Sequence, residues 1–369
     1  VPGISFQEAL RRSENQKRHL LLGNGFSIAL FADRFRYASL LESTDFSHNH
    51  AARQAFDALG TTDFEVVIQA LRQMVTLGSL YGLDERQATQ IANDAEALKE
   101  LLVQAIAGRH PDRPSEINEG QYASCRRFLA HFGGEGRRGR PDRRGHIYTL
   151  NYDLLLYWTL LHDHVLRWDE ANPLAAVFEP TEVIRHDDGF RAPPDDWDAP
   201  YVTWDGEANH SQCVFFLHGA LHLFDHGFDL QKICWERAGG RPLVDQVREA
   251  LDGGQFPLFV SEGSSASKLN RIRHSGYLHK GLRSFSEICR KEGSALFVFG
   301  HSLAANDVHI LDHIVRGRVP VVYVSMFGNE DTEENRALAA NAEQLVRSRG
   351  EQFPLEVVFY DAASAHVWN

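Results

Sequence analysis

Four short stretches carry the residue types from which a site could be built. They are Gly23-Asn24-Gly25-Phe26-Ser27, Asn151-Tyr152-Asp153, His218-Gly219, and Gly300-His301-Ser302 with Asn306 and Asp307 close behind. Each follows directly on a short apolar run. Glycines let a backbone turn tightly and approach a pyrophosphate, and the start of the following helix adds free N–H groups and a positive dipole end. A neutral histidine can accept a proton from water or a hydroxyl near physiological pH. Asn151 and Asp153 suit either polar contacts to a ligand or a plain helix cap. His222, four residues after His218, raises metal ligation, but the spacing offers no third ligand and no metal is expected. Singly these signals are weak; the first G-x-G lacks the third glycine of the common dehydrogenase fingerprint.

The elements that must position these residues can be read from hydropathy. Apolar, β-type runs fall at 19–22, 146–150, 213–217, 256–261, 295–299, 319–327 and 355–360. Helical patterns separate them: a short amphipathic helix over 5–17, a strongly apolar one from 154, a basic one carrying Lys268, Arg271 and Arg273, and one capped by Asn306 or Asp307. The helix after the strand at 319–327 starts in an acid-rich turn that suits the positive end of its dipole. Strands alternating with helices, with polar or glycine signals at the strand ends, imply an α/β fold. We expect a doubly wound, mostly parallel, Rossmann-like sheet with a helical insertion, the sheet domain spanning 1–45 and 146–369 and the insertion 46–145. In such sheets ligands bind outside the carboxyl ends of the strands.

Within the insertion, 48–107 reads as helix almost throughout, with Phe64, Val67, Leu71 and Val75 on one face and Asp63 placed to start that helix. It offers few residues suited to chemistry, so it reads as a cap beside the sheet. Before it, Phe31, Phe35 and Tyr37 cover either core or ligand. The loop at 133–145 carries five arginines, either a solvated loop or a basic patch for a polyanionic partner or an acidic subunit. Residues 165–210 are irregular, with short strands expected at 177–186 and 199–204, as in a lid or insertion.

Composition bounds the partners. The 369 residues carry a net charge of −12, which disfavours general nucleic-acid binding but leaves room for a small anion held by backbone donors. No apolar run is long enough for a membrane span, and the first twenty residues lack the apolar centre of a secretory leader. Cys125, Cys213, Cys234 and Cys289 form no C-x-x-C pair, so they suit small buried residues in a reducing cytoplasm.

The order GNGFS, TLNYD, LHG, GHSLAAND resembles the sirtuin-like NAD-binding superfamily, and most of all its bacterial NAD-hydrolysing branch, which includes antiphage-defence proteins. The resemblance covers 18–30 and 146–328. It implies an NAD glycohydrolase that releases nicotinamide and leaves ADP-ribose or a cyclic form. It assigns His218 as base, Asn151 to orient the ribose or the attacking water, and Asp153 to support the loop and nearby hydroxyls. It places Gly23, Asn24, Gly25, Phe26 and Ser27 at the pyrophosphate, Gly219 beside the histidine, and Gly300, Ser302 and Asp307 on the adenosine side. NAD is then substrate, with no metal, and a homo-oligomer or regulatory partner is expected to restrain the activity. The 67 residues from Asn151 to His218 and the missing four-cysteine zinc module argue against protein deacylation. The rival readings are an NAD- or ADP-ribose-binding module without turnover, a protein deacylase or ADP-ribosyl transferase, and a protein-interaction role for the insertion and arginine loop.

Overall fold

The computed structural model describes residues 3–133, 144–168, 184–206, 211–235 and 237–369, without the side chains of 79 and 163–168. Most of the arginine loop and of the strand expected at 177–186 therefore lies outside the described residues.

Six parallel strands form the central sheet: β1 (Lys17–Leu22), β2 (Ile147–Thr149), β5 (Val214–Phe216), β8 (Ser294–Phe299), β9 (Val321–Met326) and β10 (Glu356–Asp361). Their spatial order is β10-β9-β8-β1-β2-β5, every pairing parallel. Counting only these six, the order is the 3-2-1-4-5-6 of a doubly wound dinucleotide-binding sheet. The chain leaves β1 toward β2 and β5, then returns to the other side of β1 for β8 to β10. The order thus reverses between β1 and β8, the position at whose carboxyl side sheets of this kind bind ligands.

Register explains why both faces are covered. Leu20 pairs with Ile147 and Phe297, so these three share a face; Leu21, Tyr148 and Val298 share the other. On the first face the helix Glu119–Gly133 packs Phe128 on Phe299 and Phe132 on Phe297, with centroids 5.4 and 5.2 Å apart. On the second the helix Gly276–Cys289 sets Phe285 edge-on to Tyr148 at 5.1 Å. The range 46–145 assigned to the insertion thus includes a helix, Glu119–Gly133, that packs directly on the sheet. The remaining insertion is helical: His50–Leu59, Phe64–Gly78 and Glu85–Arg109, the last opened by a capping box between Asp84 and Gln87.

Two local expectations change. The apolar run at 256–261 joins no sheet; it makes one isolated bridge, Phe259 to Gly219, and Leu258 bonds to Leu223 and Ala220. Pro257, lacking an N–H, cannot support a ladder there. A second sheet, antiparallel, runs β3 (Phe190–Arg191), β4 (Tyr201–Trp204), β7 (Leu230–Ile233) and β6 (Leu223–Asp225) in that order; β4 falls on the strand expected at 199–204, while the other three, of two to four residues, are too short to print a period on the sequence. Among the described residues no helix is long and apolar enough to cross a membrane.

Candidate functional site

At the carboxyl edge, Thr149 at the end of β2 lies in register with Phe216 at the end of β5. Two residues further along each strand come Asn151 and His218, so the two occupy matching places on neighbouring strands. Asn151 Nδ2 donates to Ser27 Oγ at 3.0 Å, and Ser27 Oγ donates to Asp153 Oδ2 at 2.5 Å. The Leu155 N–H donates to the other Asp153 oxygen at 3.0 Å, so Asp153 also caps the next helix. Two of the motifs are thereby locked together, GNGFS and TLNYD, with Ser27, Asn151 and Asp153 all buried. Burial raises the Asp153 carboxyl pKa, opposed by the bonds from Ser27 and Leu155.

The other two motifs meet in a second cluster. His218 Nε2 lies 2.9 Å from His309 Nε2, one nitrogen donating and the other accepting, and 3.9 Å from Asp307 Oδ1. The Asp307 oxygens are held by Lys268 Nζ at 2.9 Å and His301 Nε2 at 3.0 Å. Ser265 Oγ accepts the His309 backbone N–H at 2.7 Å. Tyr152, between Asn151 and Asp153, stacks loosely on His218 with ring centroids 6.5 Å apart, linking the two clusters. Burial pushes the His218 pKa well below the ordinary imidazole range, against the pull of Asp307, and pushes His309 down to about 4. Burial opposes ionisation of Asp307, but His301, His218 and Lys268 hold its carboxyl well below the usual range.

Asp307 stands at the N-cap position of the helix Val308–Val315, yet its side chain makes no cap bond. The carboxylate faces the cluster instead. His218, Asp307 and His309 each offer a ligand atom within 4.8 Å of the others. The Lys268 ammonium already bonds one oxygen of that carboxylate, Asp307 Oδ1, at 2.9 Å.

The glycines serve backbone packing. Gly23 N–H donates to Phe299 O at 2.9 Å and Gly25 N–H to Gly300 O at 2.8 Å, so the ends of β1 and β8 are stitched together. A Cβ on Gly25 would stand 2.5 Å from Gly300 Cα. Gly219 turns with φ +83°, and a Cβ there would meet Leu258 O at 1.8 Å. Asn24 Nδ2 holds Phe35 O at 3.0 Å, Phe26 is buried against Trp368 with centroids 4.9 Å apart, and Ser302 is exposed. The donors of Gly23 and Gly25 are thus engaged by the end of β8 and the residue after it.

The sequence reading missed the cap's own contribution. Glu65, on the helix Phe64–Gly78, reaches into the second cluster: Lys268 Nζ and Asn306 Nδ2 donate to its Oε2 at 2.7 and 2.8 Å. The signal was present, since Glu65 lies three residues before Ile68 on a face where Phe64, Val67 and Ile68 are buried. Lys268 is likewise only 1% exposed, while Arg271 and Arg273 of the same helix are exposed. Gly263 lets the loop after 260 touch that cap helix, because a Cβ there would lie 2.7 Å from Gln69 N. A cavity of about 560 Å³ lies elsewhere, lined by Tyr157, Asp188, Phe190 and Lys232, and none of the motif side chains borders it.

The family model described as DUF4917, a domain of unknown function, matches residues 20–368. The chain belongs to the DUF4917 family. No curated protein matches it. The match to DUF4917 runs through the sheet, the helical cap and all four motifs, so cap and crevice belong to one family unit.

Glu65 in this DUF4917 chain makes one test available at once. Burial, opposed by Lys268 and reinforced by Asp307, pushes its pKa up to about 7 from an ordinary 4.5. A carboxyl with a raised folded pKa contributes stability that is full below the unfolded value and lost as pH rises through the folded one. The parent should therefore lose stability relative to Glu65→Gln between pH 5 and 8, on the order of 1–3 kcal/mol. Urea unfolding at the two pH values measures this; a constant difference contradicts it.

Proposed function

We propose that the chain is an NAD glycohydrolase. The reading is supported above all by one observation: the four motifs meet along the carboxyl edge of a parallel sheet in 3-2-1-4-5-6 order, with His218, whose protonated form burial disfavours, beside the Asn151 strand end. In this reading the C1′–N bond of NAD breaks and its electron pair leaves with neutral nicotinamide. That departure needs little acid catalysis, and the ribose becomes oxocarbenium-like. The protein's task is to hold the ribose, exclude bulk water and position one nucleophile. His218, uncharged, accepts the proton of the water that attacks C1′. Asn151, fixed by Ser27, orients the ribose or that water, and Asp153 fixes Ser27 in turn. A cyclic product follows if a nitrogen of the adenine takes the place of water.

The setting that goes with this reading is NAD depletion in cytoplasmic antiphage defence, restrained until triggered by assembly or by the cap. The buried state of Asn151, Asp153 and His218 supports such restraint. Asn151→Ala is the direct test. Nicotinamide release should fall about 100-fold or more, while the melting temperature stays within a few degrees. Release at the parent rate would remove Asn151 from the reaction.

A further inference from the structure

The charge at the heart of the second cluster does not balance. Two carboxylates, Glu65 and Asp307, share one buried ammonium, Lys268. Asp307 also has His301 and comes from the same motif loop. Glu65 is the carboxyl left without a cation of its own, and it comes from a different layer, the helical cap. Its Oε2 takes an ammonium and an amide N–H together, the pairing that holds a phosphate oxygen. Asn306, which donates to Glu65 through Nδ2, is held there by its amide N–H alone, its Oδ1 being buried with no hydrogen-bond partner among the described residues. The N–H groups of Gly23 and Gly25, the obvious phosphate donors, are engaged by β8.

We propose that Lys268 and Asn306 form the seat for a phosphate of the dinucleotide, and that Glu65 occupies this seat as an internal substitute when the cap is closed. The inference rests on the dinucleotide reading of the crevice and adds where the phosphate charge is met and what must leave first. Ligand and cap then compete for one ammonium. Binding requires Glu65 to withdraw by carrying the helix Phe64–Gly78 off the loop at Gly263. Apparent affinity is the intrinsic affinity scaled down to the fraction of chains in which the seat is empty.

The test uses the full chain, inorganic pyrophosphate and ADP-ribose as probes, and titration calorimetry, with nicotinamide release from NAD followed separately. Glu65→Gln keeps the shape but removes the competing charge, and should tighten both probes by about ten-fold. Glu65→Gln combined with Lys268→Gln should lose that gain. Hydrogen exchange on the parent guards against misfolding of the double variant: pyrophosphate should speed exchange in residues 64–78. Unchanged affinity in Glu65→Gln, or no binding of either probe by any variant, overturns the seat. So does unchanged exchange over 64–78 while the parent is saturated. Tighter binding in Glu65→Gln with no nicotinamide released by any form keeps the seat and rejects the hydrolase reading.

Discussion

Replacing His218 by alanine is expected to lower nicotinamide release by about 10²–10⁴-fold, the range a positioned general base supplies. The ring is 3% exposed, stacks on His309 at 5.1 Å and shares a hydrogen bond with it at 2.9 Å. Its removal therefore also leaves a cavity and an unpaired His309 nitrogen, costing about 1–3 kcal/mol of stability. The two effects separate in measurement. Loss of the base lowers kcat in folded enzyme at saturating NAD, whereas a merely structural role lowers the folded fraction and leaves kcat per folded chain unchanged. His218→Gln, which restores volume without a comparable base, should recover part of the stability and none of the rate. Parent-like kcat in either variant would take the proton-accepting role away from His218.

The second large effect concerns the seam between β1 and β8. Gly300 has φ +70°, and a Cβ there would stand 2.6 Å from Gly25 C and Cα and from Phe26 N. All three are backbone atoms, which cannot rotate aside. Gly300→Ala pays the left-handed conformation, about 1–2 kcal/mol, and must also push apart two paired turns, about 1–3 kcal/mol. We expect a loss of about 2–5 kcal/mol in urea unfolding, together with impaired ligand binding, because Ser27 and His301 ride on the displaced turns. Gly328, at φ +74° with nothing within 4 Å of its Cβ position, supplies the control and should lose only the conformational part. Equal losses at the two positions would contradict the packing role of the seam.

These contrasts indicate how far the sequence could be read. The central strands were legible because strands buried on both faces print continuous apolar runs, as in SALFVF and VVYVSM. The motifs were legible because a strand end followed by glycine and small polar residues is local information. The partners across the crevice were not, since no spacing rule ties Glu65 to Lys268, 203 positions apart, or His309 to His218. Lys268 read as one of three basic residues on a helix face, and only packing separates it from exposed Arg271 and Arg273. The glycines at 23 and 25, which suit approach to a ligand, also permit approach of one strand end to another, and that neighbour carries no local signal. Asp307 likewise looked like a cap residue, and its carboxylate turned inward because Lys268 and His301 stabilise it more than a helix N–H would.

The most direct measurement is incubation of the purified full chain and of Glu65→Gln with NAD, followed by chromatographic identification of products over time. The account predicts nicotinamide appearing in equal amount with ADP-ribose or a cyclic form, faster in Glu65→Gln than in the parent and abolished by His218→Ala. Intact NAD in both the parent and Glu65→Gln, at concentrations where ADP-ribose binds, would contradict hydrolysis and leave a binding module.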